Sequence, residues 1–115
     1  MSRILINDGR STPLLEKVIP AERTAERMRG LLGRGSLPAD TGMLINPCRS
    51  IHMWFMRFSI DAAFLDAEMR ALRISRRLRP WQLAFAPRKT CCVLETAAGV
   101  LEGLCEGDQL IIEQP

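Results

Sequence analysis

The 115-residue chain has no apolar stretch long enough to cross a bilayer as a helix. Its opening, MSRILINDGRSTP, lacks both the apolar core and the small-residue cleavage site of a secretion signal. The expected location is therefore the cytoplasm. No Gly-x-Ser-x-Gly elbow is present, which removes the commonest serine-hydrolase arrangement. The GRGS stretch (Gly33–Ser36) lacks the lysine and the spacing of a phosphate loop, and it follows a helical pattern instead of opening one. It reads as a helix stop. Histidine occurs once, as His52. Lysine is scarce, with Lys17 and Lys89 against fourteen arginines. Arginine favours planar, bidentate contact with carboxylate or phosphate; codon bias in a GC-rich genome gives the same imbalance. The formal charge of +3 permits contact with nucleic acid or acidic lipid and demands neither.

What the chain does contain is the composition of one globular domain, residues 1–115, with 47% hydrophobic and 25% charged residues. Its four cysteines are Cys48, Cys91, Cys92 and Cys105. The adjacent pair does not suit a secreted disulfide framework, and buried thiols in a reducing compartment are the simpler reading. Repeats, linkers and low-complexity tracts are absent.

RILI (Arg3–Ile6) reads as a strand, Asp8-Gly9 as a hairpin turn, and LLEKVI (Leu14–Ile19) as the partner strand. Pro20 suits a first helical turn. Ala25, Met28, Leu31 and Leu32 then form one apolar stripe at helical spacing, ended by Gly33 and Gly35. From Gly42 the pattern becomes strand-like: GMLI, then SIHMWFM and RFSIDAAFLD as two strands or one bent strand, then a DAEM turn. RALRISRRLRP alternates with period two, placing Leu72, Ile74 and Leu78 on one face and Arg73, Ser75, Arg77 and Arg79 on the other. WQLAFA between Pro80 and Pro87 is an apolar loop or edge segment. CCVLE, a short helical turn in TAAGVLEGLCEGD, and QLIIE complete the chain. The expected fold is α+β and mainly β, a small distorted β-barrel or strongly coiled sheet with one main helix packed on it.

Five stretches occur in order: ERMRGLLGR, GMLI, SIHMWFMRFSIDAAFLD, VLE with a following Gly, and EGDQLII. Together, over about Ala21 to Ile112, they resemble the family known as domain of unknown function 192. The branch it looks most like has Ile-His-Thr, Met-Arg-Phe-Pro-Ile-Asp and Phe-Leu-Asp. This chain keeps Ile51, His52, Met56–Phe58, Ile60, Asp61 and Phe64–Asp66, and departs at Met53 and Ser59. Met53 stands where the branch has a hydroxyl beside the histidine. The resemblance implies a compact β-rich α+β fold and no established reaction.

The chemistry concentrates in CRSIHMWFMRFSIDAAFLD. Cys48 and His52 are zinc-ligand types, but residues four apart on a strand lie about 13 Å apart along it. Convergence within the 2.0–2.3 Å typical of zinc ligands therefore needs a bend. Adjacent Cys91 and Cys92 point to opposite strand faces, so at most one could join. A nucleophilic Cys105–His52 pair has no sequence signal of its own. Asp61 and Asp66, five apart, fall on opposite faces and do not make a glycosidase pair. Asp66 reads as a turn former. Arg57 and Asp61 are charged residues in an apolar run, where an unpaired charge is costly. Each needs a partner from elsewhere, such as Glu95, Arg29 or a ligand. Trp54, Phe55, Phe58, Ile60 and Phe64 are expected in the core.

The leading functional expectation is a non-enzymatic binding or accessory domain with a polar pocket formed by His52, Trp54, Arg57, Asp61 and Glu95, taking a small anionic or amide ligand. Structural salt bridges account for the same residues. A second expectation is a hydrolase or metal-dependent enzyme centred on His52. A third is an adaptor that meets an acidic protein through Arg73, Arg77, Arg79 and Trp81; a solvated strand face that discourages aggregation accounts for that surface as well. No catalytic residue, metal or cofactor is assigned.

Overall fold

The computed structural model describes residues 2–21, 38–46, 50–52, 58–79 and 82–114, with only the backbone described at residues 20, 21, 50–52 and 83. Strand β1 (Arg3–Ile6) and strand β2 (Thr12–Leu15) form the expected hairpin. Asp8 shapes its turn by accepting the Arg10 N–H at 2.9 Å and the Thr12 hydroxyl, and Gly9 takes a left-handed φ of 83°. These bonds hold the exposed Asp8 carboxyl below its usual range, the Thr12 hydroxyl contributing most.

The expected partner strand Leu14–Ile19 is in fact two strands. β2 ends at Leu15, and β3 (Lys17–Ala21) belongs to another sheet. Leu15 and Val18 are both buried in the same apolar cluster. Three residues apart, they would face opposite ways on one straight strand. The bend at Glu16 lets both point inward.

Five strands make the central sheet, in the order β3, β4 (Thr41–Ile45), β9 (Cys92–Ala97), β6 (Ile60–Leu65), β7 (Ala71–Leu78). Pairing is antiparallel except for β3 and β4. The stretch 22–40 between them is long enough for the crossover of a dozen or so residues that a parallel pair requires. Pro20, expected in a helix, lies in β3 opposite Leu44. An edge strand tolerates the missing N–H. The predicted helical stripe Ala25–Leu32 lies outside the described residues. At Gly42 an added Cβ would sit 2.5 Å from Leu15 Cδ1 and 3.0 Å from Leu94 Cδ1. Glycine is what allows Leu15 and Leu94 to close over that backbone.

The smaller sheets are β10 (Leu110–Glu113) with β1 and β2, and a ribbon of β5 (Ser50–His52) with β8 (Leu83–Phe85). SIHMWFM and RFSIDAAFLD thus contribute strands to different sheets.

β6 is buried at every position, and its side chains alternate between two apolar clusters. Ala63 and Leu65 join Leu94, Ile4, Ile6, Leu15 and Leu110 on the side of the three-stranded sheet. Ile60, Ala62 and Phe64 join Val93, Leu78 and Ala84 on the ribbon side, with Phe58 partly buried against them. The core expectation holds for Phe58, Ile60 and Phe64; Trp54 and Phe55 lie outside the described residues.

β7 departs from simple alternation. Its register against β6 slips twice, between Ala62 and Ile60 and between Phe64 and Leu65. Each slip puts an extra residue into β7, the signature of a bulge. As a result Ile74 and Leu78 enter opposite clusters instead of sharing a face.

The two larger sheets meet at both ends. Val18 N–H donates to Ser2 O at 3.1 Å, and Arg70 bridges Gln109 where β7 approaches β10. These contacts do not make a continuous ladder, and the described strands form no closed barrel. The expectation of a mainly β fold holds; the barrel does not.

Candidate functional site

Asp61 and Glu95 sit one step apart on neighbouring strands and face opposite ways. β6 and β9 pair Asp61 with Thr96 and Ala62 with Glu95. Paired residues share a sheet face, so Glu95 lies with Ala62 and Asp61 with Thr96. The structure therefore does not bring Asp61 and Glu95 into one pocket.

Asp61 is fully buried, and its carboxylate is committed to the protein's own backbone. Oδ1 accepts the Arg77 N–H at 2.9 Å; Oδ2 accepts those of Gly99 and Leu101 at 3.0 and 3.1 Å. Each is a charge-assisted bond of the kind that offsets burial of a carboxylate. Arg77 has a left-handed φ of 53° at the β7 bulge, which leaves its N–H to point at Asp61. Gly99, with φ 91°, sits in the turn after β9. Asp61 thus pins a bulge and a turn that are distant in sequence.

Sequence reasoning placed Arg76 beside the arginine ladder and missed its internal role. Its guanidinium donates to the carbonyls of Leu101 and Leu104 at 3.4 and 2.5 Å, fastening the same turn region. Only a strand register could have revealed this.

Glu95 is the unusual carboxyl. It is 3% exposed, between Met43 on β4 and Ala62 on β6. Its Oε1 has no hydrogen-bond partner among the described residues. Burial pushes its pKa up to about 7, so it carries a proton well above the usual carboxylate range.

The face that carries Glu95 is the one against which the β5–β8 ribbon packs, through Ala84. His52 lies in that ribbon, paired with Leu83, the neighbour of Ala84. The backbone therefore places His52 on the Glu95 side of the sheet. Trp54, Arg57 and Trp81 lie outside the described residues.

The expected arginine ladder is broken by the bulge. Arg73, Arg77 and Arg79 are all exposed. Arg73 pairs with Phe64 in register and reaches the Phe85 carbonyl at 3.5 Å, on the ribbon side. Arg77 pairs instead with Glu102 at 3.0 Å, beside the turn that Asp61 holds. Arg79 donates its backbone N–H to Gln82 Oε1. Arg73 and Arg77 therefore have partners on different sides of the sheet. Among the described residues no cluster of His, Cys, Asp and Glu could hold a metal ion. Asp66 makes the turn expected of it, accepting N–H groups of Glu68 and Arg70 at 2.8 and 3.0 Å.

The fold has solved counterparts. A protein of unknown function from Novosphingobium aromaticivorans superposes with a TM-score of 0.76 at 20% identity, over 95% of this chain and 83% of that one. One from Sinorhizobium meliloti, described as a candidate transcription regulator, gives 0.78 at 23% identity, over 96% and 92%. At those identities the likeness is one of fold. In sequence, a UPF0127 protein of Thermococcus sibiricus is 30% identical over 109 residues, covering 88% of this chain and 68% of its own. Another from Pyrococcus abyssi is 31% identical over 103 residues, covering 84% and 85%. The family model DUF192, described as "Uncharacterized ACR, COG1430", matches residues 5–112. This chain is a member of the DUF192 (UPF0127) family, for which no specific function is established.

Proposed function

We propose that the chain is a binding domain whose polar pocket lies on the ribbon side of the central sheet, around Glu95. The single observation carrying this reading is the buried Glu95 carboxyl with an unpartnered Oε1 among the described residues. An orphan buried oxygen is costly, and proteins keep few of them without a use. His52, in the ribbon, and Trp54 and Arg57, in the connection that follows, are the residues we assign beside it. Asp61 supports the site from the opposite face by fixing the β7 bulge. With its pKa near neutrality, Glu95 can offer a proton to an acceptor and a lone pair to a donor. That suits an amide or a small carboxylic acid.

N-methylacetamide and acetate are suitable probes, followed by amide chemical shifts. Shifts clustered on β4, β6 and β9 around Glu95, and their loss in Glu95→Ala, are expected. Shifts scattered over the surface and unchanged in that variant would sink the proposal.

We also propose the cytoplasm as the site of action. Cys91 and Cys105, expected as buried thiols, are exposed instead; neither is in a disulfide, which suits a reducing compartment.

A further inference from the structure

Between Glu68 and Glu95 the chain contains no acidic residue and seven basic ones. Arg70 pairs with Glu68, Arg77 with Glu102, and Arg76 is held by two carbonyls, those of Leu101 and Leu104, whereas Arg73 makes one long bond, to the Phe85 carbonyl at 3.5 Å. Arg73, Arg79, Arg88 and Lys89 are exposed and make no ion pair among the described residues. The topology gathers them. Gln82 N–H donates to Arg79 O at 3.1 Å, so β8 starts close to the end of β7. Arg73 then reaches the Phe85 carbonyl, and the Pro87–Thr90 turn, carrying Arg88 and Lys89, follows directly. Arg79 lies just beyond the end of β7, about five strand steps from Arg73 once the bulge is allowed for, so these cations form a stripe that spans roughly 17 Å.

Phe85 sits within this stripe at 65% exposure, the most exposed large hydrophobic side chain among the described residues. Its neighbour Ala84 is buried against the central sheet, which fixes Phe85 outward.

We propose that Arg73, Arg79, Arg88 and Lys89, with Phe85 among them, form a docking surface for an extended acidic peptide segment carrying an apolar side chain. Charge complementarity selects an anionic partner, and arginine matches carboxylates bidentately. The exposed aromatic anchors the apolar residue. Single-stranded nucleic acid is the other extended polyanion. It binds on successive aromatic platforms along a groove, and comparison with an oligo-dT strand separates the two. The bulge takes Arg77 out of the arginine ladder read from alternation, while Phe85, Arg88 and Lys89, close to that ladder in sequence, stay with it.

Fluorescence anisotropy with a labelled peptide of alternating Glu and Leu, compared with an oligo-dT strand, tests the proposal. The peptide should bind at low salt. Its affinity should fall about tenfold between roughly 0.05 and 0.3 M salt, since exposed charges are screened over about 10 Å at 0.1 M. Arg73→Glu, and independently the pair Arg79→Glu with Arg88→Glu, should each weaken it at least about tenfold. Phe85→Ala should weaken it while leaving its salt dependence intact. Arg70→Glu, outside the stripe, should leave it unchanged. Melting curves confirm that each variant is folded, and the exposed double variant covers a failure of Arg73→Glu to fold. Peptide binding that is absent, indifferent to these reversals, or weaker than oligo-dT binding would overturn the assignment.

Discussion

The carboxylate of Asp61 holds the backbone of Arg77, at 2.9 Å, and not its guanidinium, which pairs with Glu102. The two roles of Arg77 are therefore separable. Arg77→Gly should keep the Asp61 bond and relieve the left-handed backbone, leaving stability within about 1 kcal/mol of wild type. Arg77→Pro removes the N–H and also forbids the left-handed φ, and should destabilise by about 3 kcal/mol or more. Urea denaturation of the two variants measures this. Equal losses would show that the N–H bond is not what matters at this position.

Asp61→Ala strands three N–H groups at once. Such a site should lose about 3–5 kcal/mol. Asp61→Asn keeps one acceptor oxygen and should lose less, about 1–3 kcal/mol. Hydrogen exchange at Gly99 and Leu101 should accelerate in both. A loss below about 1 kcal/mol in Asp61→Ala would contradict the pin described above.

Glu95 sets a pH dependence of known sign. Its folded pKa, about 7, lies above the ordinary 4.5. Between those values the folded chain retains a proton that the unfolded chain has released. Stability therefore falls as pH rises through this window and levels off above about pH 7, the full change being about 3 kcal/mol. Glu95→Gln should flatten the curve and be more stable than wild type at pH 8. Denaturant midpoints at pH 5, 6, 7 and 8 decide the matter, and an unchanged pH profile in the glutamine variant would count against it.

Gly42→Ala places a methyl against Leu15 and Leu94 and should cost about 1–3 kcal/mol through overpacking. The clash at 2.5 Å is with the end of the Leu15 side chain. Adding Leu15→Ala should thus make the cost of the glycine substitution smaller than in the wild-type background. A double-mutant cycle with no coupling would refute that close approach.

The sequence made most strands legible because a short apolar run bounded by turn residues is a local signal. RILI, GMLI and the IDAAFL part of the long apolar run appear as strands, and DAEM as a turn. Three features escaped for one reason: they depend on neighbours far along the chain. The bend at Glu16 serves a core shared by two sheets. Pro20 resembles a helix opener until its strand is known to be an edge. The β7 bulges, which scatter the expected arginine face, are visible only against β6. For the site, Asp61 and Glu95 were recognised as significant polar positions, but no single-strand spacing could reveal that they look in opposite directions.

Pairing of Ile4 with Ile112 and of Ile6 with Leu110 joins strands at opposite ends of the sequence. During synthesis β1 can zip onto β2 almost at once, yet its other flank waits for β10, far along the sequence. Ile4, Ile6 and Leu110 share one cluster with β6 and β9, so that cluster closes only once the sequence through β10 has emerged. Completing that cluster therefore depends on long-range pairing, which slows folding. A nascent chain stalled before residue 110 should remain protease-sensitive through β1.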